Sequence, residues 1–133
     1  LPRLQTDLFD VLSAAVEGRL QDVPLAWDAR SCACVVAASG GYPGDYERGK
    51  PITGLAEAAD APDVLVFHAG TKREGHRCFT WGGRVLNVAA LDDELEPALK
   101  RCYAALDQIR FDGMQYRRDI GWRALQAGAK GRT

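Results

Sequence analysis

The chain has 133 residues with a formal net charge of −1, and 47% of its residues are apolar and 26% charged. This balance is typical of one globular domain, or of one small domain with part of a neighbour. It excludes the strong basic field that nucleic-acid binding requires, and no apolar run reaches the roughly 18 residues of a membrane span. We therefore expect neither nucleic acid nor a membrane as a partner.

The first predicted element is a helix over residues 6–17, where apolar residues recur at helical spacing. Thr6 is expected to cap this helix and Gly18 to end it. Residues 21–30 show no period and are predicted to form a linker. The apolar run "SCACVVAAS", residues 31–39, is predicted to be a strand buried on both faces.

The stretch "SGGYPGDYERG", residues 39–49, places four glycines directly after this strand. Such glycines allow positive φ and let backbone N–H groups converge on an anion such as phosphate. They are equally typical of a tight surface turn packed by Tyr42 and Tyr46, and composition alone favours the turn. The stretch matches neither a Walker A loop nor a dinucleotide-binding fingerprint.

Short strands are predicted next. "KPITGL" is extended, "AEAADAPD" is a loop or one helical turn, and residues 64–72 form a strand. Residues 73–76 contain a turn signal. Residues 77–91 are predicted to form one or two strands with a break at the glycine pair 82–83, where a bulge or a close backbone approach would need glycine.

A second helix is predicted to start near Leu95, and its apolar stripe consists of Leu95, Leu99, Cys102, Leu106 and Ile109. The tail after it shows no clean period. Short strands with hairpin-length turns and one long helix predict an α+β fold with a largely antiparallel sheet.

The four cysteines, Cys32, Cys34, Cys78 and Cys102, form no C-x-x-C pair, and the chain has only two histidines. A zinc site is therefore poorly supported. We expect reduced, mostly buried thiols, as in a cytoplasmic protein.

Three single residues are candidates for binding, each with a structural alternative. His68 ends an apolar strand, where a structural role is more common than a catalytic one. Lys72 either reaches a ligand phosphate or is solvated. Arg84 follows the glycine pair. Its guanidinium either binds a carboxylate or phosphate through two hydrogen bonds or forms an ion pair with a residue on the adjacent strand.

The tail "YRRDIGWRA", residues 116–124, interleaves arginines with Tyr116 and Trp122. It either contributes to a site, with Arg118 as the candidate, or docks by burial of its apolar side chains.

Four stretches in this order carry a resemblance: "VVAASGGYPGDYERGKPITGL", "VFHAGTK", "GGRVLNVAAL" and "YRRDIGWRAL". Together they closely resemble the C-terminal region of the phosphoribosylamine–glycine ligase family, also called glycinamide ribonucleotide synthetase. The resemblance runs from Leu1 to about Leu125. The first twenty residues look like the last helix of that family's ATP-grasp domain, and the opening "LP" without Met is expected of a sequence cut from a longer one.

The resemblance implies a division into three parts. Residues 1–22 would be the terminal helix of the ATP-grasp domain, 23–30 a linker, and 31–133 the synthetase C-terminal domain, related to the barrel-sandwich, rudiment-hybrid modules of ATP-grasp enzymes.

The family joins 5-phosphoribosylamine to glycine in purine synthesis, through glycyl phosphate and with conversion of ATP to ADP and phosphate. The resemblance implies that ATP and Mg²⁺ are bound by the N-terminal and ATP-grasp domains, which would be partners outside residues 1–133. We therefore expect no catalytic residue, metal site or cofactor site within residues 1–133. We also expect no ligase activity from this chain alone.

Within the resemblance, this domain helps to form the phosphoribosylamine pocket. We expect the pocket to be shaped by three glycine-containing segments that share one cleft, together with the tail. The residues expected to bind substrate are Gly40, Gly41, Tyr42, Pro43, Gly44, His68, Gly70, Thr71, Lys72, Gly82, Gly83, Arg84 and Arg118.

Two alternatives remain open at this point. One is a stand-alone, non-catalytic binding module; a biotin or lipoate carrier is disfavoured because Met114 has no adjacent lysine. The other is one piece of a multi-part ligase that works with an ATP-grasp portion in trans.

Overall fold

The computed structural model describes residues 1–130, which form two three-stranded antiparallel sheets and four helices. The first sheet has the spatial order β1 (Ser31–Ala38), β6 (Arg84–Asp92), β3 (Val64–His68). The second has the order β2 (Pro51–Ile52), β5 (Arg77–Thr80), β4 (Thr71–Glu74). The α+β class with antiparallel strands is confirmed, although the strands divide between two sheets. The last three residues of the predicted C-terminal domain lie outside the described residues.

The helices are α1 (Leu8–Val16), α2 (Leu55–Ala59), α3 (Leu95–Leu106) and α4 (Trp122–Lys130), with a 3-10 turn at Leu20–Asp22. None of the helices in the described part of the chain is long and apolar enough to cross a membrane.

The core lies between α3 and one face of the first sheet. The predicted stripe is confirmed, since Leu99, Cys102 and Leu106 of α3 are buried. Strand alternation directs Val35 of β1 and Val88 of β6, which are register partners and fully buried, into this core. Burial of each large aliphatic side chain contributes about 1.5–3 kcal/mol, so α3 fixes the sheet on which the candidate site is built.

The opposite face of the first sheet is covered only in part, and its two outer strands are exposed there. Cys34 of β1 is exposed, and Leu65 and Phe67 of β3 are 40% and 43% exposed. The prediction that the first strand is buried on both faces is therefore wrong. Its apolar composition suits two covering layers, but Cys34 remains exposed on the face opposite α3.

Helix α1 confirms the first predicted helix but not its cap. The side chain of Asp7, rather than Thr6, accepts a hydrogen bond from the backbone N–H of Phe9 at 2.7 Å. The Thr6 hydroxyl instead donates to the carbonyl of Pro24 at 2.9 Å and thereby ties the linker to the start of the helix. Gly18 follows the helix with a φ of 71°, as predicted for its end.

Three further expectations need correction. Residues 64–72 do not form one strand, because the chain breaks at Gly70 and β3 and β4 enter different sheets. The tail, which was expected to show no clean period, contains the amphipathic helix α4. The four cysteines are free, as expected, but only Cys102 is buried, while Cys34 is exposed.

Candidate functional site

The two sheets meet where backbone lies directly on backbone. The N–H of Gly70 donates to the carbonyl of Arg84 at 2.8 Å, and the N–H groups of Trp81 and Gly82 donate to the carbonyl of Gly70 at 2.7 and 3.1 Å. A Cβ on Gly70 would lie 2.5 Å from the Arg84 oxygen and 2.6 Å from the Cα of Gly82. Only glycine permits so close a backbone approach. This one contact therefore explains both Gly70 in "VFHAGTK" and Gly82 in "GGRVLNVAAL".

The glycine loop, residues 39–49, packs against the same place. The backbone N–H of Ser39 donates to the carbonyl of Gly83 at 2.8 Å, and its hydroxyl donates to the carbonyl of Gly82 at 2.9 Å. The ring of Tyr42 lies on Gly83, where a Cβ would come within 2.1 Å of ring atom Cδ2. The segment 82–84 is therefore in contact with both of the other predicted glycine segments.

Gln115 fastens the loop from the other side. Its backbone pairs with Ala38 in both directions, at 2.8 and 2.9 Å. Its side-chain Nε2 donates to the carbonyls of Ser39 and Tyr42, at 3.1 and 2.8 Å. Sequence reasoning missed this residue, because a lone glutamine in a polar tail carries no signal for a contact 73 to 76 residues away.

The loop separates two cavities of different character. The first, of about 320 Å³, is polar and contains three carboxylates and one lysine. Lys50 already pairs with Glu47 at 2.7 Å and with Asp112 at 2.8 Å. These contacts raise the pKa of Lys50 and lower that of Asp112. With its one cation compensated twice, this cavity disfavours an anion. Its lining consists of Ser39, Gly40, Asp45, Tyr46, Glu47, Lys50, Asp112 and Gly113.

The second cavity, of about 420 Å³, is mostly apolar and has no carboxylate in its wall. Arg84 projects from the start of β6, and no ion pair or side-chain hydrogen bond engages its guanidinium among the described residues. Arg117 stands in the same wall. The unpaired Arg84 beside apolar surface suits an anionic ligand with a phosphate or carboxylate group, whereas Arg117 is already paired with Asp119. The cavity lining consists of Val36, Ala38, Tyr42, Arg84, Gln115, Tyr116 and Arg117.

The tail supplies one wall of this apolar cavity. The ring of Tyr116 packs 6.1 Å from that of Tyr103 on α3, and its hydroxyl donates to Asp107 at 3.1 Å. Burial, and then this hydrogen bond, raise the pKa of the Tyr116 phenol. Arg118 lies over the Tyr116 ring at 5.0 Å and donates to its hydroxyl at 3.0 Å. Arg117, rather than the predicted Arg118, therefore lines the cavity.

The predicted residues fall into three groups. Tyr42 and Arg84 line the apolar cavity, Gly40 lines the polar one, and Gly41, Pro43 and Gly44 complete the loop between them. Gly70, Gly82 and Gly83 make the backbone contacts.

The third group lies beside this junction. His68 Nδ1 is 3.0 Å from the hydroxyl of Thr71, and Lys72 Nζ pairs with Glu74 at 2.8 Å and lies 4.7 Å from the centre of the Trp81 ring. None of these residues lines either cavity. Their segment meets the candidate site only through the backbone of Gly70, which contacts Arg84 and Gly82.

The residues that the structure describes contain no group of three or more His, Cys, Asp or Glu side chains placed to hold a metal ion.

The arrangement first defines a class of protein, which is a small α+β domain in which an antiparallel sheet and a glycine loop frame a cavity with two arginines in its wall. Residues 32–123 match the family model of the phosphoribosylglycinamide synthetase C domain. The chain belongs to this family, which confirms the resemblance seen in its motifs.

Individual proteins similar to this chain are phosphoribosylamine–glycine ligases, in agreement with the family model. The chain is 52% identical over 126 residues to a phosphoribosylamine–glycine ligase of Synechocystis, covering 94% of this chain and 30% of that protein. It is 51% identical to the chloroplastic ligase of Arabidopsis thaliana, covering 93% and 24%. The crystal structure of the Thermotoga maritima ligase superimposes with a TM-score of 0.64 at 30% identity, covering 81% of this chain and 27% of that one. The chain thus spans less than a third of these relatives.

Proposed function

We propose that this chain supplies the phosphoribosylamine-binding part of a phosphoribosylamine–glycine ligase. The relatives' name gives the two substrates, and the chain matches about 30% of the length of the Synechocystis protein. ATP and Mg²⁺ would be bound by an ATP-grasp portion outside these residues. There ATP would convert the glycine carboxylate to an acyl phosphate, since a free carboxylate resists attack by an amine. We place the reaction in the cytoplasm.

The observation that carries this proposal is the unpaired guanidinium of Arg84 in the apolar cavity. A 5′-phosphate carries nearly two negative charges at neutral pH, and a forked cation is its preferred partner. Tyr42 and Val36 offer apolar surface to the sugar at the same cavity. In the proposed role, the domain holds the sugar phosphate, orients its amine towards the acyl phosphate and excludes water; the backbone of the three glycine segments, residues 40–44, 68–72 and 82–84, shapes the cleft.

The N-terminal part supports an interdomain partner. Exposed large apolar side chains are concentrated in the first 27 residues, and helix α1 buries only Ala14. Contiguous apolar surface of this kind marks an interaction site. We propose that it docks on the ATP-grasp domain, with residues 1–22 as part of that domain. The exposed side chains are Leu1, Leu8, Phe9, Leu12, Val16, Leu20, Leu25 and Trp27.

A domain exchange tests the proposal. Residues 1–126 of this chain replace the matching C-terminal region of the Synechocystis ligase, and steady-state kinetics are measured with phosphoribosylamine and with ATP. We expect an active chimera, in which Arg84→Ala raises KM for phosphoribosylamine about 10- to 100-fold, as expected for a lost charge-assisted hydrogen bond, with KM for ATP nearly unchanged.

The matched control is Lys100→Gln, which removes another exposed cation, paired with Glu96 on α3. It should leave both KM values unchanged. Equal damage to both KM values by Arg84→Ala would refute the assignment of the phosphate to this cavity. Formation of glycinamide ribonucleotide by this chain alone, at normal turnover, would refute the division of labour between the two parts.

A further inference from the structure

We propose that Asp119 is a positioning residue of the phosphate site, which holds the guanidinium of Arg117 at the cavity wall without touching the ligand. This inference rests on the proposed function, since it concerns the second cation of the same cavity.

The geometry fixes Arg117 at both ends. Its Nε donates to Oδ1 of Asp119 at 2.8 Å and its Nη2 donates to Oδ2 at 2.5 Å, so the two planar groups form a fork. Its backbone carbonyl accepts a hydrogen bond from the Tyr103 hydroxyl at 3.0 Å, which ties this point of the tail to α3. An arginine has five N–H donors, and a two-bond fork leaves the others available for a ligand.

Asp119 lies behind the arginine rather than in the site. Arg117 lines both the apolar cavity and a separate pocket formed by residues 117 and 119–124 of the tail, whereas Asp119 lines only that tail pocket. The carboxylate therefore acts on a ligand of the apolar cavity through Arg117.

Fold stability does not account for this fork. The side chains of Arg117 and Asp119 are 74% and 52% exposed, and exposed ion pairs contribute little to stability. A two-bond fork at such a site restricts the rotamers of a long side chain. The arginine then loses less conformational entropy when the ligand binds. Arg117 lowers the pKa of the Asp119 carboxyl, so the fork is intact at neutral pH.

The direction in which Asp119→Asn changes the affinity for a phosphate distinguishes a positioning role of the carboxylate from a purely electrostatic one. Asp119→Asn removes a negative charge close to an anion site, and electrostatics alone would then strengthen the binding of a phosphate. A positioning role predicts the reverse, because the Arg117 side chain becomes free to rotate.

The probe is ribose 5-phosphate, a stable compound with the same sugar and phosphate, titrated into the chain and followed by NMR chemical shifts. We expect Asp119→Asn to weaken its binding about three- to ten-fold, the range that corresponds to immobilising one long side chain. The matched control is Glu17→Gln, which removes the acid of another exposed i, i+2 pair with arginine, Arg19, and should change nothing.

The effect must also depend on Arg117. In an Arg117→Ala background, Asp119→Asn should no longer weaken binding and should leave it equal or slightly tighter. The Arg117 Nε–H signal provides a ligand-free readout, and it should broaden in Asp119→Asn but not in Glu17→Gln.

Tighter binding by the single Asp119→Asn variant, or an equal loss with and without Arg117, would overturn the positioning role while leaving the cavity assignment intact. Failure of the unmodified chain to bind ribose 5-phosphate, with an unchanged phosphoribosylamine KM for Asp119→Asn in the Synechocystis chimera, would overturn both.

Discussion

The contact between Gly83 and Tyr42 leads to a specific prediction for Gly83→Ala. The new Cβ would lie 2.1, 2.7 and 3.1 Å from the Cδ2, Cε2 and Cγ atoms of the Tyr42 ring. The ring has to move, because these distances are far below van der Waals contact. Tyr42 is 37% exposed, so it can swing outwards, and we expect a cost of about 1–3 kcal/mol in the free energy of unfolding, typical of overpacking.

A double-mutant cycle isolates this clash. Tyr42→Ala, Gly83→Ala and the double variant are unfolded in urea, and the free energies of unfolding are compared. Once the ring is absent, Gly83→Ala should cost much less, which gives a coupling energy of about 1–2 kcal/mol. Because Tyr42 lines the apolar cavity, Gly83→Ala should also weaken the binding of ribose 5-phosphate. Additivity within about 0.3–0.5 kcal/mol would refute the reasoning, since it would mean that the ring and the new methyl group do not meet.

Three further predictions concern other parts of the molecule. Gly54→Ala should lower the free energy of unfolding in urea by about 3 kcal/mol or more, because φ is +76° and a Cβ would lie 1.9 Å from a backbone oxygen. Gly18→Ala, where φ is +71° but no atom is near, should lower it by only about 1–2 kcal/mol. Equal losses in the two variants would contradict the steric argument. Iodoacetamide at pH 8 should alkylate the exposed Cys34 before Cys102, because burial raises the pKa of the Cys102 thiol to about 12; mass spectrometry that finds Cys102 modified first would exclude this. The hydrogen bond from Arg101 lowers the pKa of Asp92 below its usual 3.8, so the stabilisation by this pair is present above about pH 4 and is lost as pH falls through the lowered pKa. The free energy of unfolding of Asp92→Asn should therefore fall less steeply in acid than that of the unmodified chain. An unchanged dependence on pH would refute this role of the pair.

The fold was predictable where side-chain periodicity is strong. The spacing of apolar residues identifies the start and the buried face of α3, although the predicted stripe continues to Ile109, beyond the end of the helix at Leu106. The glycine pair before Arg84 marks the break between β5 and β6. The division into two sheets was not predictable, since the single residue Gly70 within an apolar run gives no indication that its two flanks pair with different partners. Helix α4 was not predicted because, of its nine residues, only Trp122 and Leu125 are large and apolar, which is too few to show a period.

The candidate site was predictable only in part. Glycines that permit a close approach are visible in the sequence, and Arg84 could be singled out by its place after such a pair. The partners of these groups could not be found in the same way. Whether Arg117 or Arg118 faces the cavity depends on which one stacks on the Tyr116 ring, and the role of Gln115 depends on a long-range backbone pairing. Both features depend on tertiary structure.

The backbone contact between Gly70 and Gly82 has a consequence for redesign of the ligand preference. The spacing between the two sheets at this point is fixed by the radii of main-chain atoms, because neither residue has a side chain that could be enlarged or trimmed. Directed evolution cannot tune the width of the cleft here in small steps. Variation in what the cavity accepts has to come from its walls, and Val36 is a position where a change of size alters the cavity without spreading the sheets.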